Sequence, residues 1–280
     1  MKEHRFLWKA FLSKEKLILC LVILILMVIS MIYSFQQSIF AQAGYQQAYP
    51  NAGLEFYYSL FRIGTNPILF ILFMLLLPNI MSYDILNMHQ NHASYMIEVR
   101  LTRQHYYLES FIKNIVLSGI VVLMMEFILL AISHLFLAPV HFQSMSYPEG
   151  YYITTQLLFS HEVINLIAFL IMTALGYALV SSIIFSLQAL ITNKYVYRCC
   201  GVILGILLVL FPALIQGYLP VPEAAFLIQI NNLVALGLEH VRENPFGFSH
   251  FMIYGICFLI YSMISLFCFQ LFCIRRENYD

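Results

Sequence analysis

The chain has 280 residues, of which 61% are hydrophobic and 10% charged, and its mean hydropathy is +0.82. Soluble domains carry about 25% charged residues, so a soluble fold of this size is excluded and the chain reads as a polytopic membrane protein. Formal net charge is zero, which gives no reason to expect a nucleic-acid partner and directs attention to how the charges are distributed.

Met1 to Lys16 is basic (Lys2, Arg5, Lys9, Lys14, Lys16), with Phe6, Leu7, Ala10 and Phe11 at helical spacing beside Trp8. This pattern predicts an amphipathic helix in the headgroup layer. Leu17–Phe35 is the first predicted span; it exceeds the signal-peptide core of about 7–15 residues and is expected to remain uncleaved. Gln36–Thr65 is a polar, aromatic loop whose Tyr45, Tyr49, Phe56, Tyr57, Tyr58 and Phe61 suit a membrane interface. Pro67–Tyr83 is the second span, with Pro78 placed to kink or end it. Ile112–Phe136, Val163–Ile191, Cys199–Leu219 and Phe251–Ile274 are the remaining four, separated by the loop Ala138–Ser160, the short turn Asn193–Arg198 and the loop Glu223–His250. The apolar core of that last loop, Ala224–Leu238, is too short to cross a bilayer and predicts a re-entrant or interfacial segment. Residues 1–280 therefore read as one all-α transmembrane domain, and runs of continuous rather than alternating apolar character exclude a β-barrel.

With the N-terminus placed inside, twelve of the fourteen Lys and Arg fall in the cytoplasm, and only Arg62 and Arg242 lie outside. The outer loops instead carry Glu55, Glu149, Glu162, Glu223, Glu239 and Glu243. The positive-inside rule predicts both termini in the cytoplasm. The six cysteines (Cys20, Cys199, Cys200, Cys257, Cys268, Cys273) sit within or at the cytoplasmic ends of hydrophobic segments, so no disulfide framework is expected.

Few motifs carry chemistry. No GxxxxGK[ST] is present, so ATP, if used, is bound by a partner. Ser160-His161-Glu162-Val163-Ile164-Asn165 begins like HExxH, but Asn165 replaces the second zinc ligand, and GxSxG is absent; no resident metal or cofactor is expected. Glu126 lies in the middle of the third span. Intramembrane acids are functional candidates by default: Glu126 could line a translocation path, bind a cationic ligand or carry a proton, or be a neutral acid bonded to a neighbouring helix. Gly201 and Gly205 form GxxxG, which allows close helix approach, within one chain or between two.

The one long polar stretch on the cytoplasmic side is Tyr83–Asn114, which reads as a docking element for a partner. Within it Glu98–Asn114 reads EVRLTRQHYYLESFIKN. Thr102-Arg103, Tyr106-Tyr107 and Lys113 resemble the segment between the second and third spans of ABC-2-type transporter permeases. There a short coupling helix precedes an arginine-bearing turn, an aromatic patch and a lysine that opens the third span. The likeness extends over the whole chain as architecture and is nearest to small six-span permeases of Gram-positive bacteria. It implies a multi-pass protein of the plasma membrane, two permease subunits and a separate ABC ATPase that binds ATP and docks on a coupling helix near Ile85–Glu98. Ile85, Leu86 and Met88 would anchor that helix in the membrane surface, His89, Gln90, His92 and Ser94 would face the ATPase, and Arg100 and Arg103 would begin the elbow into the third span. Also implied is a fifth helix near the permease dimer interface, where Gly201 and Gly205 would act. The expected activity is ATP-driven export of an antimicrobial or bacteriocin-like peptide or a hydrophobic compound. The alternatives are a non-transporting sensor or immunity subunit using the same ATPase contact, and an intramembrane enzyme, for which Glu126 has no evident catalytic partner.

Overall fold

The computed structural model describes residues 14–49, 51–90, 103–142, 159, 161–218, 222–236 and 246–278. Among them are six helices long and apolar enough to cross a membrane, and no strand; the protein is an all-helical, multi-pass membrane protein. The predicted N-terminal interfacial helix and most of the Ala138–Ser160 loop lie outside the described residues.

The first span is α1 (Lys14–Gln37). A 3-10 turn (Ile39–Ala41) and two short helices, α2 (Ala43–Ala48) and α3 (Ala52–Phe61), lead to α4 (Pro67–Ile80). Pro67 occupies the first turn of α4, where its missing N–H costs nothing, and the Asn66 side chain caps the helix by accepting from the Leu69 N–H. Pro78 lies inside α4; the helix breaks only at Met81 (φ −138°) and restarts as α5 (Ser82–Gln90). Next come α6 (Arg103–Ile132), which ends in a π turn over Ser133–Leu137, α7 (Glu162–Ser186) and α8 (Lys194–Tyr218). Two short helices, α9 (Pro222–Ile228) and α10 (Asn231–Val234), precede α11 (His250–Asn278).

The spans correct the sequence boundaries mostly outward. Thus α6 starts at Arg103 rather than Ile112, and α8 at Lys194 rather than Cys199. The charged residues Arg103, Lys113, Lys194 and Arg198 are helical because a helix continues past the apolar zone once neighbouring chain supports it. Hydropathy marks only the apolar portion.

The helices alternate in direction. Lys16 at the start of α1 donates to the Ile80 carbonyl at the end of α4 (2.9 Å), Ser82 donates to Asn114 near the start of α6 (2.8 Å), and Phe272 near the end of α11 packs on Tyr107 and Phe185. These helix ends gather at one pole, which also carries Arg198 and Lys194 and is called the basic pole below. At the opposite pole Phe35 of α1 packs on Phe56, Ser30 bonds Asn66, and Phe159 meets Phe251 at the start of α11.

The most apolar stretch is 72% buried in the α4–α5 span and 61% in α7, against 22% to 28% in the other four. So α4 and α7 form the centre, and α1, α6, α8 and α11 surround them, each turning an apolar face outward. On α6 the inward face is Tyr107, Phe111, Asn114, Ser118, Val122, Met125, Glu126, Leu129 and Ser133, the three-and-four spacing of one helical stripe.

Two insertions reach into the bundle from the opposite pole. Every residue of α3 is buried, which corrects the expected interfacial loop: its aromatic rings pack inward, Tyr57 on Phe61 and Tyr58 on Phe169 of α7. Its Gly53 packs so tightly on the Ala138 and Pro139 carbonyls that any side chain would collide there. The other insertion is α9–α10, in the stretch predicted to be re-entrant or interfacial. Tyr261, well inside α11, donates to the Ile228 carbonyl (2.9 Å), and Gly176, midway along α7, accommodates the Leu233 carbonyl. The segment is folded back against α7 and α11 at that depth.

Candidate functional site

Two groups of polar side chains stand out against the apolar interior. The first gathers around the break at Met81. Tertiary contacts here come from six helices. Lys16 of α1 pairs with Asp84 of α5. The Ser82 hydroxyl donates to Asn114, whose amide in turn donates to the Ser181 carbonyl (3.1 Å) and hydroxyl (2.9 Å) of α7, and Ser181 also bonds Ser118 (2.7 Å). Gln188, just after α7, donates to the Ser82 carbonyl (2.8 Å) and to the Tyr197 hydroxyl (3.3 Å). Tyr197 donates on to the Ile184 carbonyl (2.9 Å). Asn79 donates to the Arg198 carbonyl (3.1 Å), and the Arg198 guanidinium lies 4.0 Å over the Tyr83 ring. The Gln90 amide at the far end of α5 bonds the Thr192 carbonyl. Chain breaks leave main-chain groups that need partners, and in an apolar bundle only neighbouring helices can supply them.

The residues expected to couple an ATPase fall unevenly on this region. Ile85 and Leu86 are buried, 1% exposed each, so they anchor α5 in the protein core and not in the membrane surface. The correction follows from α5 lying against α4 and α8. Met88 is half-buried and His89 lies in the last turn of α5. Arg103 opens α6. His92, Glu98 and Arg100, with Gln90's neighbours up to Thr102, lie outside the described residues. Tyr106 and Tyr107 are buried and Lys113 pairs with Glu109 one turn earlier.

The GxxxG pair is occupied within the chain. A side chain on Gly201 would collide with the Met74 carbonyl of α4 and lie 3.0 Å from the Pro78 ring, and one on Gly205 would press on Met74 and Phe70. Pro78 has no N–H to give the Met74 carbonyl, and the bare backbone of Gly201 packs against that oxygen. The alternatives for this motif thus resolve to a contact inside one subunit.

The second group surrounds Glu126. Its side chain is wholly buried (0% exposed), and both carboxyl oxygens lack a hydrogen-bond partner among the described residues. Tyr57 of α3 donates to the Glu126 main-chain carbonyl (3.1 Å) and not to the carboxyl. The phenols of Tyr57 and Tyr177 (α7) lie near enough to interact with the carboxyl electrostatically. Tyr177 stacks on Phe73 of α4 (4.9 Å), and Thr173, one turn before it, has a buried hydroxyl that also lacks a partner among the described residues. An unbonded buried polar group is rare and costly, so this position asks for an explanation.

Sequence reading found Glu126 but missed its neighbours. By composition Tyr57 reads as part of a loop, and Tyr177 and Thr173 carry no signal that separates them from packing residues. The Asn114–Ser118 spacing on α6 was a usable signal for the first group: two small polar residues one turn apart inside a span mark an interhelical bond. The HExxH-like residues serve to hold α3: Asn51 donates to Glu162 (2.7 Å), and Asn165 donates to the Tyr58 hydroxyl (3.1 Å).

A shallow pocket of about 160 Å³ opens at the opposite pole between Gln46, Tyr49, Ala52, Gly53, Ala138 and His141. No family model matches the chain, and neither a curated protein nor a solved structure matches it.

Proposed function

We propose that the chain is the membrane subunit of an ATP-driven exporter of the ABC-2 type, acting as a pair of permeases in a bacterial plasma membrane. A separate ATPase docks on α5 and the residues that follow it to Glu98. The observation that supports this reading most is the fastening of α5. A short helix set off from its span by a break, yet bonded to α1, α6, α7 and the start of α8, passes any displacement to four spans at once. Closing of an ATPase dimer is a displacement of that kind. Buried Ile85 and Leu86 make α5 move with the bundle, while its last turn, Met88 to Gln90, leads into the docking surface. The cargo class this reading carries is a peptide or hydrophobic compound, and the apolar bundle with acidic groups toward the opposite pole suits a cationic amphipathic one.

The test is to look for an ABC ATPase gene next to this one and co-purify the chain with its product, with cysteine crosslinking from Met88→Cys, followed by ATP-driven uptake of labelled peptide into inverted vesicles. Association with ATP-driven uptake supports the exporter. Association without transport turns the reading to the sensor or immunity subunit. No association, with His89→Ala and Arg103→Ala leaving cellular resistance unchanged, removes the ATPase from the account.

A further inference from the structure

Glu126 differs from Asn114 and Ser118 on its stripe of α6. Asn114 and Ser118 are bonded across to α7, whereas the carboxyl of Glu126 is not bonded to any described residue. Of the two phenols near it, Tyr57 gives its hydrogen to the main chain instead. A carboxylate without a donor or counter-charge in an apolar interior is very costly. The titratable groups that face it are Tyr57 from α3 and Tyr177 from α7, neither of which is a cation. The carboxyl is at 0% exposure, so a proton can sit on it with α3 seated, whereas a larger ligand would have to enter past α3.

The cover over this position is equally specific. All of α3 is buried, and it is held by a few directional contacts: Tyr57 to the Glu126 carbonyl, Tyr58 to Asn165, Asn51 to Glu162, and Gly53 against Ala138 and Pro139. The shallow pocket lined by Ala52 and Gly53 lies about one helical turn from Tyr57 along α3, which is the end from which α3 would be reached.

We propose that Glu126 is a proton-binding site sealed by α3: the carboxyl carries its proton while α3 is seated and exchanges it with water at the pole opposite the basic one when α3 withdraws. In that exchange the carboxyl O–H bond breaks, its electron pair stays on the carboxylate oxygen, and a water molecule accepts the proton. Because binding and conformation are linked reciprocally, proton loss favours the withdrawn arrangement of α3 and proton binding the seated one. This inference does not require an ATPase and stands or falls apart from the transport reading.

The experiment is infrared spectroscopy of the full chain in lipid vesicles, following the C=O band of a protonated carboxyl and its shift on transfer to deuterated water. The wild-type protein is expected to show a band at neutral pH that Glu126→Gln lacks, and that band is expected to exchange slowly. Tyr57→Phe keeps the ring and removes the single hydrogen bond to α6, and is expected to speed exchange about tenfold, the equivalent of one lost hydrogen bond. A more drastic wedge, Gly53→Leu, is expected to abolish the slow phase. Identical spectra of wild type and Glu126→Gln would overturn the proton site. A Glu126 band whose exchange is unmoved in Tyr57→Phe would overturn the seal.

Discussion

The two groups of buried polar side chains, around Ser82 and around Glu126, are satisfied to different degrees. Around Ser82 at the basic pole, polar side chains bond one another: Lys16 meets Asp84, Asn114 meets Ser82 and Ser181, and Gln188 meets the Ser82 carbonyl and Tyr197, leaving Gln188 Oε1 and Arg198 Nε without a partner among the described residues. Toward the other pole, aromatic rings of α3 fill the space, and the carboxyl of Glu126 has no partner for either oxygen among the described residues. A bonded network holds one arrangement of helices. An unbonded buried acid is costly and would gain partners from water if its cover moved, which is the basis for proposing a second arrangement of α3. Functional positions commonly give up stability in this way.

This contrast can be broken by substitution, with thermal unfolding of the detergent-solubilised protein as the measurement. Gly201→Ala should be the most damaging change. Its methyl group meets the Met74 carbonyl in a rigid α4–α8 contact, and overpacking of this kind costs about 3 kcal/mol. A stability within 0.5 kcal/mol of wild type, roughly the spread of harmless surface changes, would mean that α8 does not sit on α4 as described. Asn114→Leu should come next. It removes three bonds to Ser82 and Ser181 and should lower stability by about 2 kcal/mol, since membrane interhelical bonds are worth roughly 0.6 kcal/mol each.

Glu126→Met should act in the reverse direction. It keeps the main-chain bond from Tyr57 and deletes two unbonded oxygens, so a gain of about 1 kcal/mol is expected. A loss of similar size would show that the carboxyl is bonded and that the two groups do not differ. The smallest effect belongs to Gly255→Ala on α11. Nothing lies within 4 Å of the position its methyl group would take, so helix propensity alone should add about 0.5–1 kcal/mol. It is the control that separates glycines used for packing from glycines that are not.

Glycine shows why some of this was legible in the sequence and some was not. Gly201 and Gly205 announce a close helix contact by their spacing alone, because spacing on a helix is a local property. Their partner is Met74 with Pro78, more than a hundred residues earlier, and no local pattern names it. The same holds for α3. Its aromatic residues read as interfacial by composition, yet all are buried, because the space left between α1, α4, α6 and α7 takes in a short helix whose own sequence does not reveal such a space. Ile85 and Leu86 read correctly as the anchors of a short helix, but the apolar surface they anchor in is protein.

The amino-acid sequence by itself determined the class of the protein, the number of its spans and the presence of an acid within the third of them. Those properties are sums over neighbouring residues: transfer of apolar surface out of water is additive along a segment, and helical periodicity is set by the backbone. Only the tertiary structure decided what each polar group meets. Tyr57 and Glu126 are 69 residues apart and Asn114 and Ser181 are 67 apart, yet one pair of contacts leaves a carboxyl unbonded while the other completes a network. Hydrogen bonds are short and directional, so which of them form depends on where distant helices come to rest.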